Sequence, residues 1–129
     1  MDKFIVSSAK SHAYLGIVLL NSEYRELDCI LEMKADIKTE SILRGNYGET
    51  IFSEKLNELS SQNDVVYFVI SNIDKVSDEI QRRFVGLVKD RSYRGYHLPE
   101  NVVVVFTVED KNDLSNIVYD LAKLLKSAI

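Results

Sequence analysis

The apolar positions of the chain fall into three patterns, and each predicts a different element. Two runs are apolar at nearly every position: Val65-Val66-Tyr67-Phe68-Val69-Ile70 and Val102-Val103-Val104-Val105-Phe106-Thr107-Val108. Short runs this rich in β-branched residues read as strands buried on both faces of a parallel sheet. In the second pattern, Leu27, Cys29, Leu31 and Met33 alternate with polar residues for most of the stretch, which predicts a strand over 26–33. A further short strand is expected over Lys3–Ser7. The third pattern has helical spacing. Phe52, Leu56 and Leu59 follow Thr50 as N-cap; Ile80, Phe84, Leu87 and Val88 follow Ser77 as N-cap. Leu114, Ile117, Val118, Leu121, Leu124 and Leu125 form one stripe behind Asn112, which predicts a closing helix.

Four stretches carry weaker signals. From His12 to Leu20 the chain is apolar nearly all round, which predicts a buried helix, with a strand as the alternative for Ile17–Leu20. A short helix is expected within Ala35–Leu43. Arg44–Gly48 and Arg91–Asn101 read as irregular segments, the second holding Gly95 and the sole proline, Pro99. The resulting order, β-α-β-α-β-α-β-α, predicts one domain over 1–129. Its fold is expected to be a three-layer α/β/α arrangement with a four-stranded, mainly parallel sheet and right-handed crossovers. In such sheets ligands bind beyond the carboxyl ends of the strands, which here read Ser71-Asn72 and Glu109-Asp110.

Composition narrows the function classes. The formal charge of -4 gives no general attraction to nucleic acid or anionic membrane. Cys29 is alone, so an internal disulfide and a cysteine-rich metal site are excluded, and a small core residue is the expectation for it. His12 and His97 lack ligand spacing. No apolar run has the length of a membrane span, and the first residues lack the pattern of a signal peptide, so a cytoplasmic protein is expected.

Ile70-Ser71-Asn72-Ile73-Asp74-Lys75-Val76 resembles the end of the Walker B strand in AAA+ ATPases, where apolar residues lead into Asp-Glu and often Ile-Asp-Lys. Ser77-Asp78-Glu79-Ile80-Gln81 resembles the next helix of that family. Leu98-Pro99-Glu100-Asn101 before the valine run resembles the approach to its sensor-1 strand. Tyr47-Gly48-Glu49-Thr50 resembles the segment bearing a pore-loop aromatic. The resemblance implies a P-loop NTPase-like fold with strand order 1-4-3-2 and the strand at 3–7 on one edge. With no room expected for the family's fifth core strand or its helical lid, it also implies an uncovered first strand that offers an edge for pairing two chains.

The departures from the family bear on activity. Ser71 and Asn72 stand where the family has the magnesium-binding aspartate and the water-activating glutamate, and neither is a carboxylate. Glu109 stands at the sensor-1 asparagine, where a carboxylate repels a γ-phosphate. Ser7-Ser8-Ala9-Lys10-Ser11 keeps only the Lys-Ser of a phosphate loop and none of its glycines, so Lys10 and Ser11 are at most a weak ATP contact. These readings favour a non-catalytic binding or regulatory module that works through protein contacts, with no cofactor. The alternatives are an ATP-binding protein or ATPase subunit completed by a partner, and a nucleic-acid-binding accessory protein. Tyr47, Tyr93, Arg94 and Tyr96 are the candidate partner-binding residues, because Tyr and Arg dominate interface energetics. The competing reading has these tyrosines folding back onto helix ends. The mixture of bases and aromatics over 91–97 is also what a nucleic-acid surface uses. Asp74 and Lys75 read as a solvated pair of little energetic consequence.

Overall fold

A computed structural model describes residues 16–35, 51–93 and 95–127, with the side chains of 51, 52 and 93 excepted. The expected strand at 3–7 and helix at 35–43 lie outside the described residues but for Ala35, as do Lys10, Ser11, His12, Tyr47 and Arg94. Among the described residues five strands form one sheet: β1 (Gly16–Leu20), β2 (Ile30–Lys34), β3 (Val66–Ser71), β6 (Val102–Val108) and β7 (Leu125–Ser127). β4 (Ser92–Tyr93) and β5 (Tyr96–His97) form a separate small hairpin. The helices are α1 (Ile51–Gln62), α2 (Asp78–Lys89) and the short α3 (Tyr119–Ala122).

The sheet runs β2-β3-β6-β1-β7, and every pairing in it is parallel. This corrects the expected four-stranded order. The strand beside β6 is Gly16–Leu20, not an edge strand, and β7 pairs with its other side. Periodicity could not separate a buried helix from a buried strand over 16–20. Partners on both sides settle it: the run takes its backbone hydrogen bonds from β6 and β7. Gly16 allows the last strand to come close. A Cβ on it would lie 2.7 Å from Leu125 Cδ2.

The expected closing helix is also corrected. Residues 111–116 form a 3-10 turn, α3 spans four residues, and the chain then enters β7. The cap is Asp110 rather than Asn112: its carboxylate accepts from the Asn112 N–H, and the Asp113 carboxylate accepts from the Asp110 N–H. Ile117 and Val118 are extended, with ψ of 128° and 144°. There Gln81 of α2 takes over the backbone groups that a continuous helix would have paired with itself. Its Nε2 donates to the Asn116 carbonyl at 3.0 Å, and its Oε1 accepts from the Val118 N–H at 2.7 Å.

Strand alternation divides the core in two. Val18, Phe68, Ile70, Val104 and Phe106 face Leu56, Phe84, Leu87 and Leu121, so α1, α2 and α3 share one face. Ile17, Leu19, Tyr67, Val69, Val103 and Val105 face the other way, against Tyr24 and Leu27. Among the described residues that second face is covered by the crossing segment 21–29, which holds a 3-10 turn at Tyr24–Glu26 and no α-helix. Cys29 ends the crossing with φ of 50° and turns the chain into β2. The described layers therefore differ from the expected helix on each face.

Candidate functional site

The chain leaves β1 for one face of the sheet and leaves β6 for the other. Their carboxyl ends lie side by side, and the crevice where ligands bind in open α/β sheets opens there. Three neutral side chains fill it. Asn21, just past β1, donates from Nδ2 to Asn72 Oδ1 at 2.7 Å. The Asn72 backbone N–H donates to Thr107 Oγ1 at 3.2 Å. Thr107 Oγ1 donates in turn to Asn21 Oδ1. The circuit ties the ends of β1, β3 and β6 together. Thr107 is fully buried in it.

Local structure explains how each residue arrives. The Asn21 N–H bonds to the Val108 carbonyl at 2.8 Å, which extends the β1–β6 ladder by one step. Asn72 sits at φ 59° and ψ 43°, a left-handed conformation that asparagine tolerates better than most residues. That conformation starts the 3-10 turn Ile73–Lys75 and sends the chain toward α2. Ser71 is buried, and its hydroxyl reaches the Met33 carbonyl at 3.4 Å. The polarity of Ser71 and Asn72 therefore joins neighbouring strands. Helix capping belongs to Ser77, whose Oγ accepts from the Ile80 N–H at 3.3 Å, as its position before the apolar stripe implied.

Beside the crevice lies a group of charges. Lys75 Nζ is 3.2 Å from Glu109 Oε2 and 3.6 Å from Asp74 Oδ2. Glu109 is exposed, whereas the Asp74 side chain is only 1% exposed. Among the described residues neither Asp74 oxygen has a hydrogen-bond partner. Burial raises the Asp74 pKa above its ordinary value, and the nearby Asp113 raises it further, against the lowering effects of its own backbone and of Lys75. Lys75 is likewise raised, first by its contact with Glu109 and then by Asp74. The expectation of a solvated Asp74–Lys75 pair is corrected for the aspartate.

Asp74 lines a cleft of about 700 Å³ between the start of α2 and residues 115–122. Gln81 is 1% exposed and forms part of its wall. Besides its two bonds to 116 and 118, Gln81 Nε2 donates to the Val76 carbonyl at 3.2 Å. Among the described residues no group of three His, Cys, Asp or Glu side chains is placed to hold a metal ion. No helix among them is long and apolar enough to cross a membrane.

The segment proposed for partner binding forms the β4–β5 hairpin, with Gly95 at φ 90°. Tyr96 is half-buried and packs on the core. Its hydroxyl lies 3.1 Å from Asn57 Oδ1 and 3.4 Å from the Ser53 carbonyl, both on α1. Arg91 has φ of 54°, and its Nη2 donates to the Pro99 and Val102 carbonyls at 2.8 and 2.7 Å. Two members of the mixed basic and aromatic run are thus engaged within the fold. The Tyr93 side chain and Arg94 lie outside the described residues. Asn21, Thr107, Asp74 and Gln81 were not singled out as site residues from sequence. Thr107, a polar residue inside an otherwise apolar run, carried the one usable signal.

No protein-family model matches the chain, and no curated protein matches it.

Proposed function

We propose that the protein is a non-catalytic binding module of the AAA+ type that acts through protein contacts. The observation that carries this reading is the neutral Asn21–Asn72–Thr107 circuit at the crevice. A hydrolytic site needs at that place a carboxylate to neutralise magnesium and another to activate water. Here Asn72, one of the two residues at that place, is bonded to Asn21 and Thr107, and Ser71, the other, reaches the Met33 carbonyl. The described order β7-β1-β6-β3-β2 differs from the expected four-stranded order, so the AAA+ part of the reading rests on the resemblance of Ile70–Val76 to a Walker B strand end. The segment after β1, Asn21-Ser22-Glu23, turns tightly, with the Glu23 N–H on the Leu20 carbonyl at 2.9 Å, and it has no glycine to wrap a phosphate.

The test is a calorimetric titration of the full chain with ATP and magnesium, run beside a phosphate-release assay. Neither binding at micromolar concentration nor release is expected. Micromolar ATP binding in the presence of magnesium would overturn the reading in favour of an ATP-binding subunit. Binding to DNA or RNA that weakens steeply with salt would favour the nucleic-acid reading instead.

A further inference from the structure

We propose that the cleft lined by Asp74, Asp78 and Tyr119 receives the guanidinium group of an arginine presented by a partner protein. The proposal takes its source of the cation from the protein-contact reading above. The starting point is the state of Asp74. A carboxylate removed from water requires hydrogen bonds or a close counter-charge, and lacking them it is costly. The Asp74 side chain is 1% exposed, and among the described residues neither of its oxygens has a hydrogen-bond partner and the counter-charge beside it is the ammonium of Lys75 at 3.6 Å. That ammonium is 54% exposed and lies closer to Glu109, at 3.2 Å. Buried polar groups without partners are rare in native proteins and often mark a missing ligand.

The walls of the cleft define the ligand. Asp78 adds a second carboxylate, and Asp113 raises the negative potential felt at Asp74. Val76 and Ile117 supply apolar wall suited to an alkyl stem. Tyr119, 77% exposed, is the large apolar side chain that the described residues leave open to solvent, and it stands on the rim of this cleft. Its ring already attracts a cation, with Lys123 Nζ 5.7 Å from the centroid. A carboxylate at depth, an apolar wall and an aromatic face at the mouth suit a planar guanidinium on a flexible stem. A divalent ion fits less well, since among the described residues no group of three carboxylate, histidine or cysteine side chains is placed to hold one.

The test is a titration of the full chain with N-acetyl-arginine-methylamide, followed by amide chemical shifts. The citrulline analogue, which has the same shape and no charge, is the control. Saturable shifts are expected at Gln81, Asn116 and Val118 with the arginine compound and not with the citrulline one. Asp74→Asn should weaken binding about tenfold, roughly 1.4 kcal/mol. Tyr119→Ala, at an exposed position that leaves the fold undisturbed, should weaken it severalfold. Equal binding of the two analogues, unchanged affinity in Asp74→Asn, or shifts confined to another surface would overturn the proposal. So would magnesium or calcium displacing the arginine compound from the same residues. The ATP titration above fails or succeeds separately. Arginine binding in a chain that hydrolyses ATP would keep the pocket and remove the non-catalytic reading. Loss of the pocket in a chain that ignores ATP would do the reverse.

Discussion

Thr107 is the hinge of the neutral circuit, because its single hydroxyl both accepts from the Asn72 N–H and donates to Asn21. Thr107→Val keeps the shape and removes both bonds. The half-buried Asn72 N–H and Asn21 Oδ1 then lose their partners, at about 1 kcal/mol. The urea midpoint should fall with the slope unchanged, since the same surface is exposed on unfolding. An unchanged midpoint would show that the circuit is not needed to hold the three strand ends. Asp74 gives the opposite expectation. Its pKa is raised in the folded chain, first by burial, so the folded state binds its proton more tightly than the unfolded state does. Stability is therefore lost as pH rises from the ordinary carboxylate value through the raised one. The charged groups around it are Lys75 on the same turn, Asp78 at the start of α2, Asp113 on the 111–116 turn, and Glu109 through Lys75. Asp74→Asn should raise the melting temperature at neutral pH, and the gain should shrink toward zero as pH falls below the ordinary carboxylate range. A loss of stability in Asp74→Asn at neutral pH would show that the charge is matched after all.

At the scale of elements, the junction between α2 and residues 116–118 depends on one side chain. Gln81 is buried and makes three bonds to backbone groups: to Val76, Asn116 and Val118. Gln81→Leu retains the volume and leaves an N–H and two carbonyls without partners, at about 1–3 kcal/mol. Hydrogen exchange at the Val118 amide should quicken more than at the β3 or β6 amides, because the opening is local. Uniform quickening would mean that the junction opens only with the whole domain. The same junction shows what was legible in the sequence. β3, β6 and α2 could be read from local signals: β-branched runs for the strands, and Ser77 with an i, i+4, i+7, i+8 stripe for the helix. The end of the stripe behind Asp110 is not legible as non-helical, because the stripe is real but its backbone is captured by Gln81, which lies thirty-five residues away from Asn116. β1 was misread because Ile17–Leu20 is apolar on both faces, so its period is uninformative until its neighbours are known. In the candidate site, Ser71 and Asn72 were found by resemblance to a motif. Asn21 stayed hidden because its role depends on which strand lies beside β6. Asp74 stayed hidden because sequence alone does not tell a buried carboxylate from a solvated one.

For the molecule as a whole, the last described strand completes the sheet around one of the first. β7 pairs Gly16 with Leu125, Ile17 with Lys126 and Val18 with Ser127, and so covers one side of β1. β1 is itself apolar on both faces, with Ile17, Val18 and Leu19 each at most 2% exposed. An uncovered strand of that kind presents free N–H and carbonyl groups along an apolar edge, which is a template for pairing with another chain. The edge-pairing expected for a first strand at 3–7 thus moves, among the described residues, to a strand that the fold has covered. A chain ending at Leu124 should therefore lose two properties together. Its denaturation midpoint should fall, because Leu125 leaves the core, where it packs with Val18 and Leu121. Its light-scattering mass in gel filtration should rise with concentration above that of the full chain, because β1 is then open to pairing. Lys→Glu at 126 in the full chain is the control, since it changes the charge of β7 and leaves its backbone bonds intact. If the shortened chain loses stability and keeps the mass of the full chain, β7 serves the core alone. If both change in the shortened chain and neither changes in the control, the backbone of β7 is what keeps β1 from recruiting a second copy.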